Sequence, residues 1–442
     1  MRNLLLVTVA AVWMMACGGQ KKAENARKAT ESQVLADSIR SNQSFKTVME
    51  MAKGILKTGF TAGDGYGEVW IRDFNTFLEL SCQVQEHTAI KKNLLIFFYF
   101  QGEDGNIVDG YIPKEKAHTG GYDYRYSDLA PEYAAHKNTV ETDQEASLVQ
   151  AVWKYVQTTG DKAFLAEKVE DKTVLERLEW SMDFLLKHRY NEEYGLLWGA
   201  TTADWGDVQP EHDWGVYLTD DTHYAIDIYD NAMFVIAINN FLDLAKDDAG
   251  KVTKWEVIRD EIATNTMKHL WNGKKFIPHI YLNGSPFSED LEEDAIFYHG
   301  GTAVAIEAGL LNKEQIQLSL KAMQENVKNS GAASIGLTLY PTYPEGSFKN
   351  KGMGPYSYQN GGDWTWFGGR MIQALITHGF VKEAYQELLP MTDRVVANKG
   401  FFEWYTVDNQ PKGSGIFRGS AGVLAKSIMM LEEWAGTVES QP

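Results

Sequence analysis

The sequence predicts an all-α fold, six helical hairpins closed into an (α/α)6 barrel with long functional loops at one end. Three observations carry that expectation. Apolar residues recur at three- and four-residue spacing in about twelve segments, the signature of helices that bury one face. Strand signals are few and short, as in "KKFIPHIYL", and no Pro/Ser-rich linker divides the chain, so one helical domain is the simplest account. The connections alternate between short and long, which suits hairpins whose longer links collect on one side and carry function.

The clearest helix lies in "ETDQEASLVQAVWKYVQTTGD". Thr142 and Glu145 have the spacing of a capping box, and Leu148, Val152 and Val156 repeat every fourth residue with Val149 and Trp153 beside them. Gly160 stands where a helix stops. Similar periodicity marks 31–53, 74–85, 87–100, 172–188, 222–245, 252–269, 294–309, 313–327, 364–378, 381–396 and 419–434. No close internal repeat is present, which argues against a helical-repeat solenoid. The long connections include "TGFTAGDGYGEVWIRDF", "GLLWGATTADWGDVQPEHDWGVYLTDD" and "IGLTLYPTYPEGSFKNKGMGPYSYQNGGDWTWFGG". They interleave Trp and Tyr with Gly and Asp, a mixture that a merely structural loop does not need.

A chain of 442 residues with 44% hydrophobic residues has enough apolar material for a sizeable core. Its net charge of -18 argues against a nucleic-acid partner, which would need a basic face. The 13 Trp supply flat apolar rings with a polar edge, suited both to a core and to a site that faces sugars.

The N-terminus "MRNLLLVTVAAVWMMACGG" has Arg2, an apolar run from Leu4 to Met15, then Ala16, Cys17 and Gly18. This pattern is a signal peptide, too short to span a membrane. A Cys at that place resembles a bacterial lipoprotein signal, with Met14 departing from the usual Leu. On this reading residues 1–16 are removed, Cys17 is lipidated and 17–30 form a tether. A single catalytic domain follows over 31–436, with a tail over 437–442. The protein is then exported and held to the bacterial envelope, at the outer membrane, by its lipid anchor. Cys82 is the only other cysteine, which leaves no intramolecular disulfide.

The chain contains no HExxH, CxxC, P-loop or nucleophile elbow, and its ten His are scattered, so neither an organic cofactor nor a transition-metal centre is implied. A hard cation on carboxylates such as Asp220 and Asp221 stays open. What remains is carboxylates beside aromatics. In "TTADWGDVQPEHDWG", Asp204 and Asp207 flank Trp205. Glycoside hydrolysis needs one acid to protonate the leaving oxygen and one carboxylate to activate water or attack carbon, and a Trp beside the acid keeps it protonated by excluding water.

"EVWIRDF", "YVQTTGDKAFL", "GLLWGATTADWGDV", "NGGDWTWFGGRMIQALITHG" and "EWYTVDNQPKGSGIFRGSAG" occur in an order that resembles the six-hairpin glycosidases. These include trehalases, processing α-glucosidases, glucosylglycerate hydrolases, debranching glucosidases and glucoamylases. The resemblance implies that Trp70, Arg72 and Asp73 of "WIRD" hold the terminal sugar. It implies that Asp207 of "DWGD" is the general acid, with Asp204 as the alternative and Trp205 in the sugar site. Glu403 of "FFEWYTVDNQPKGSG" resembles the element that carries the base, with Tyr405 nearby, although "NQPKG" replaces the usual "ETGEPLG"-like run. "GGDWTWFGG" resembles a pocket-lining element in which Trp364 and Trp366 correspond, while Asp363 and Thr365 depart. Asp363 either caps the following helix or alters which sugar is accepted.

The resemblance thus implies an inverting, exo-acting hydrolase, an α-glucosidase on small glycosides or oligosaccharide ends. Two other classes stay open: a non-catalytic glycan-binding lipoprotein, and an α-mannosidase or uronide-acting enzyme on the same barrel. The N-terminal reading has a direct check. Replacing Cys17→Ser is expected to move the protein from the detergent phase to the aqueous phase on partitioning, and equal partitioning of both forms would refute lipidation.

Overall fold

A computed structural model describes residues 30–118 and 122–439, over which thirteen helices follow one another. They are α1 (30–41), α2 (Gln43–Leu56), α3 (Ile71–Val84), α4 (His87–Tyr99), α5 (Gln144–Thr159), α6 (Val174–His188), α7 (Ile228–Leu244), α8 (Ala249–His269), α9 (His299–Glu307), α10 (Lys313–Ser330), α11 (Thr365–Thr377), α12 (Val381–Asn398) and α13 (Arg418–Glu439). Helices α3, α5, α7, α9, α11 and α13 each pack on the next, and α13 returns to α3, so the inner ring closes. The even-numbered helices form the outer layer. This is the (α/α)6 barrel that the periodicity predicts.

The two layers differ as their sequences require. Every residue of α9 from His299 to Ile306 is buried, and α7 is buried continuously from Ile228 to Ile238, as expected of helices enclosed on all sides. Outer helices show one apolar stripe. In α2 the buried residues are Phe45, Val48, Ala52 and Leu56, at three- and four-residue intervals. True capping boxes open α6, through Thr173 and Glu176, and α10, through Asn312 and Gln315.

The structure corrects several expected boundaries. The single segment 31–53 is two helices, because the Asn42 side chain accepts the Phe45 N–H and starts a new one. Thr142 and Glu145 do not form a capping box. Glu145 Oε1 instead accepts the Ile107 N–H (2.8 Å) and the Lys137 ammonium (2.7 Å), and the Thr142 hydroxyl donates to the Trp198 carbonyl (3.1 Å). Tertiary partners outcompete the local bond. Gly160 does end α5, with φ of 74°. The segments 222–245 and 294–309 start their helices late, at Ile228 and His299, because short strands, Tyr224–Ile226 and Phe297–Tyr298, come first.

Those strands belong to small antiparallel ribbons at one end of the barrel. Val69–Trp70 pairs with Gly110–Pro113, which pairs with Tyr133–His136. Each long connection of the sequence reaches this end, above the N-termini of the inner helices.

Candidate active site

The loops enclose a cavity of about 470 Å³. Its floor is aromatic. The Trp205 indole stacks on Phe367 (centroids 4.4 Å, interplanar angle 20°) and meets Trp364 and Trp366 edge-on at 4.8 and 5.5 Å. The Trp205 and Trp366 Nε1–H groups are buried and find no hydrogen-bond partner among the described residues. Trp70 joins the wall, its indole held over Gly110, where an added Cβ would come within 2.5 Å of the ring.

Arg72, on the first turn of α3, organises the charges. Its Nε donates to Asp143 Oδ2 (2.7 Å), its Nη2 lies 2.9 Å from Glu141 Oε1, and its Nη1 donates to the Trp205 carbonyl (3.2 Å). Burial opposes the guanidinium charge, and Asp143 and Glu141 outweigh that opposition. Arg72 is the only Lys or Arg among the described residues that line the cavity, against Asp73, Asp109, Glu141, Asp207 and Glu403.

These acids feel the imbalance. Burial pushes the Asp73 carboxyl well up despite the pull of Arg72, with repulsion from Glu403, Asp109 and Asp207 added, and its Oδ1 has no hydrogen-bond partner among the described residues. Burial also raises Asp109, to about 7, again against Arg72 and with Asp143 and Asp207 adding repulsion. His136 Nδ1 is 3.9 Å from Asp109 Oδ2, but burial holds that imidazole down at about 4, so it brings no charge.

Two carboxylates are held differently. Gln359 Nε2 donates to Asp207 Oδ1 (2.6 Å) while the Asp207 N–H donates back to Gln359 Oε1 (3.3 Å). Asp207 Oδ2 has no hydrogen-bond partner among the described residues. Glu403 Oε2 accepts the Tyr66 hydroxyl (2.7 Å) and the Ser414 N–H (3.2 Å), and Oε1 likewise has no such partner. Burial raises the Glu403 carboxyl, the two bonds lower it, and repulsion from Asp207 raises it further. The strand Trp404–Tyr405 pairs with Pro411–Lys412, and this hairpin brings Gly413 (φ 68°) against Glu403, where a Cβ would lie 2.3 Å from Oε2. Each carboxylate therefore has one oxygen fixed and one available.

The glycosyl hydrolase 94 superfamily catalytic domain matches residues 42–405, which include α2 to α12 and both carboxylates. The chain belongs to that superfamily. No curated protein sequence matches the chain. Among solved structures, a GH63 mannosylglycerate hydrolase from Thermus thermophilus in complex with glucose is similar at a TM-score of 0.62 and 15% identity, covering 86% of this chain and 99% of that one. The same enzyme in complex with Tris and D-glycerate gives 0.60 and 16%, over 86% and 99%. A rhamnosidase from Klebsiella oxytoca with rhamnose bound gives 0.59 and 13%, covering 88% of this chain and 64% of that chain. At these identities the likeness is one of fold.

Within this glycosyl hydrolase 94 domain the cavity brings together Trp70, Arg72, Asp73, Trp205, Asp207, Trp364, Trp366 and Glu403. Three expected site residues lie elsewhere. Asp204, the alternative acid, is buried with both oxygens engaged by the N–H groups of Gly300 and Gly301 (2.7 Å each) at the start of α9, so it anchors the loop and is closed to substrate. Asp363 neither caps α11 nor reaches the cavity. It is buried against Arg394 (2.8 Å) and accepts the Ser334 N–H (3.0 Å) and hydroxyl. Tyr405 is fully buried with the Arg394 guanidinium 4.0 Å over its ring. Cys17 falls outside the described residues. The cavity also contains Tyr66, Asp109, Tyr122, Glu141, Trp214 and Gln359, which the sequence reading did not single out, although all lie in or beside its long aromatic loops. Asp220 and Asp221 sit exposed on a turn, and no group of three or more His, Cys, Asp or Glu among the described residues is arranged to hold a metal ion.

Two outcomes follow for stability. Asp204→Ala removes the partner of two buried amides and is expected to cost about 2–4 kcal/mol in denaturant unfolding. A loss below about 0.5 kcal/mol would show that the clamp is dispensable. Asp109 binds its proton more tightly folded than unfolded, so its contribution is full below about pH 4 and is lost as pH rises through about 7. Asp109→Asn should therefore gain Tm over the native chain at pH 8, by about 2–4 °C, with the gain vanishing at low pH. A pH-independent difference would contradict the assignment.

Proposed function

We propose that the chain is an inverting, exo-acting O-glycoside hydrolase in which Asp207 donates a proton to the glycosidic oxygen and Glu403 removes one from the attacking water. The observation that carries this reading is the pair of carboxylates on one aromatic-floored cavity, each with one oxygen fixed and one unpartnered. The Tyr66 and Ser414 bonds favour the ionised form of Glu403, as a base requires, while burial raises its proton affinity and so its basicity. Inversion requires carboxyl groups roughly 6.5–9.5 Å apart, to leave room for water between them.

The buried floor supports exo action, because a chain cannot pass beyond Trp205, Trp364 and Trp366. A gluco-configured α-glycoside is the proposed substrate, on the sequence resemblance. Glucose in the Thermus enzyme and rhamnose in the Klebsiella enzyme are consistent with a pyranose in this place. The leaving group is neutral, in contrast to the D-glycerate of the Thermus complex. Arg72 is already paired with two acids, and no other Lys or Arg among the described residues lines the cavity to meet a carboxylate. We further propose that the enzyme is exported and anchored through Cys17; among the described residues no helix is long and apolar enough to cross a membrane.

Kinetics on a glucose disaccharide and on α-glucosyl fluoride test the roles, since fluoride departs without a proton. Asp207→Asn is expected to lower kcat/KM on the disaccharide by about 10²–10⁴-fold and on the fluoride far less. Glu403→Gln should depress both substrates. The native profile should lose activity as pH falls through the pKa of Glu403, which burial raises, because protonation removes the base. Wild-type activity with equal losses for Asp207→Asn on both substrates would remove Asp207 from the acid role. Binding without turnover on any glycoside would favour a glycan-binding protein.

A further inference from the structure

Exposure rises steadily from the cavity floor to its mouth. Trp205, Trp364 and Trp366 are almost fully buried, Asp207 is half-buried, and Trp214, seven residues further along the same loop, has 56% of its surface exposed. An indole so placed is unusual, because large aromatic rings are ordinarily covered unless they meet a ligand.

The loop that carries Trp214 is firmly held. The Thr139 N–H donates to the Val216 carbonyl (2.7 Å), the Leu218 N–H to the Thr139 hydroxyl (2.8 Å), and Gln209 Nε2 to the Tyr217 carbonyl (2.9 Å). Gly215, at φ of 131°, adopts a conformation that other residues rarely reach, and so allows the chain to turn beside Trp214. Behind the indole stands Tyr122, 5.6 Å away and tilted by 31°, which is itself stacked on buried His136 at 3.9 Å. Trp214 is backed by the Tyr122 ring, and the side chain remains largely open to solvent at the mouth.

We infer that Trp214, backed by Tyr122, is the platform of a leaving-group subsite that takes a neutral pyranose ring. The inference rests on the hydrolase reading above and names the part of the substrate that reading leaves open. A general acid stands at the bond it cleaves. With the terminal sugar on the floor and Asp207 at its outer edge, the leaving group must extend outward, along the loop from Asp207 to Trp214. The C–H face of a pyranose is apolar and flat and covers an indole well, while its hydroxyls stay in water at the rim. A small acid such as glycerate offers no such face, and it would approach five carboxylates and a single Arg that is already paired.

The test separates this subsite from the catalytic reading. α-Glucosyl, α-mannosyl and α-rhamnosyl fluorides are assayed first with the full chain, since fluoride has no ring to stack. For the sugar turned over, the disaccharide and the glycerate conjugate are compared with the fluoride in native protein, Trp214→Ala and Trp214→Phe. The expected result is a selective loss: Trp214→Ala lowers kcat/KM on the disaccharide roughly ten-fold more than on the fluoride, mainly through KM, and Trp214→Phe restores most of it. The native enzyme should also prefer the disaccharide to the glycerate conjugate. Equal losses on disaccharide and fluoride, or no loss on the disaccharide, would overturn the subsite while leaving the hydrolase in place. A native protein that turns over none of the fluorides or disaccharides would overturn the hydrolase and the subsite together.

Discussion

The cavity is assembled around one buried guanidinium. Arg72 reaches from the first turn of α3 to Glu141 and Asp143 ahead of α5 and to the backbone of Trp205, and the Tyr229 hydroxyl of α7 donates to the same Asp143 oxygen (2.6 Å). Burying such an ion costs several kcal/mol, which its partners offset only while all of them are in place. Three segments far apart in sequence are thereby fixed to one charge. The same arithmetic shapes the chemistry. Arg72 is committed to Glu141 and Asp143, so Asp73, Asp109, Asp207 and Glu403 share an under-compensated negative field. Burial, with repulsion within that field added, raises the proton affinity of Asp73, Asp109 and Glu403.

Local strain accumulates beside the same residues. Asp204 and Tyr358 hold φ of 54° and 48°, conformations that cost about 1–3 kcal/mol for non-Gly residues, and each is close in sequence to one member of the Asp207–Gln359 pair. Asp204 is kept there by two amides at the start of α9, and Tyr358, half-buried, by the Trp364 Nε1–H, which donates to its carbonyl (2.9 Å). The packed tryptophans around Phe367 supply the apolar contact that makes these positions tolerable. Stability is thus generated in the barrel and consumed at its mouth, in keeping with the proposed role of the cavity in presenting acids to a ligand.

Helix period carries most of the fold in the sequence, because inner and outer helices differ in which faces are apolar and that difference is local. Boundaries failed where a partner from elsewhere in the chain intervened. Nothing near Glu145 announces that Ile107 and Lys137 will claim its carboxylate. Motif order anticipated which residues come together, since Trp70, Arg72, Asp207, Trp364 and Glu403 line one cavity. It misplaced Asp363 and Tyr405, which share the buried Arg394. A carboxylate beside tryptophans reads alike in sequence whether its counter-charge lies behind it or a sugar lies in front. Gln359 and Tyr66 were illegible for a related reason, as their importance comes only from the carboxylates they hold.

The floor of the cavity has one more consequence. Below it the barrel axis is filled, with Asn75 Nδ2 donating to Gln150 Oε1 (3.1 Å) and Gln150 Nε2 to the Met233 carbonyl (3.2 Å), all buried. The entrance is therefore also the exit. On the exo-hydrolase reading proposed above, the two products depart in a fixed sequence, the outer fragment first and the monosaccharide on the floor after it. On the same reading, free monosaccharide returning from the medium competes with fresh substrate for that seat, and turnover falls as product accumulates.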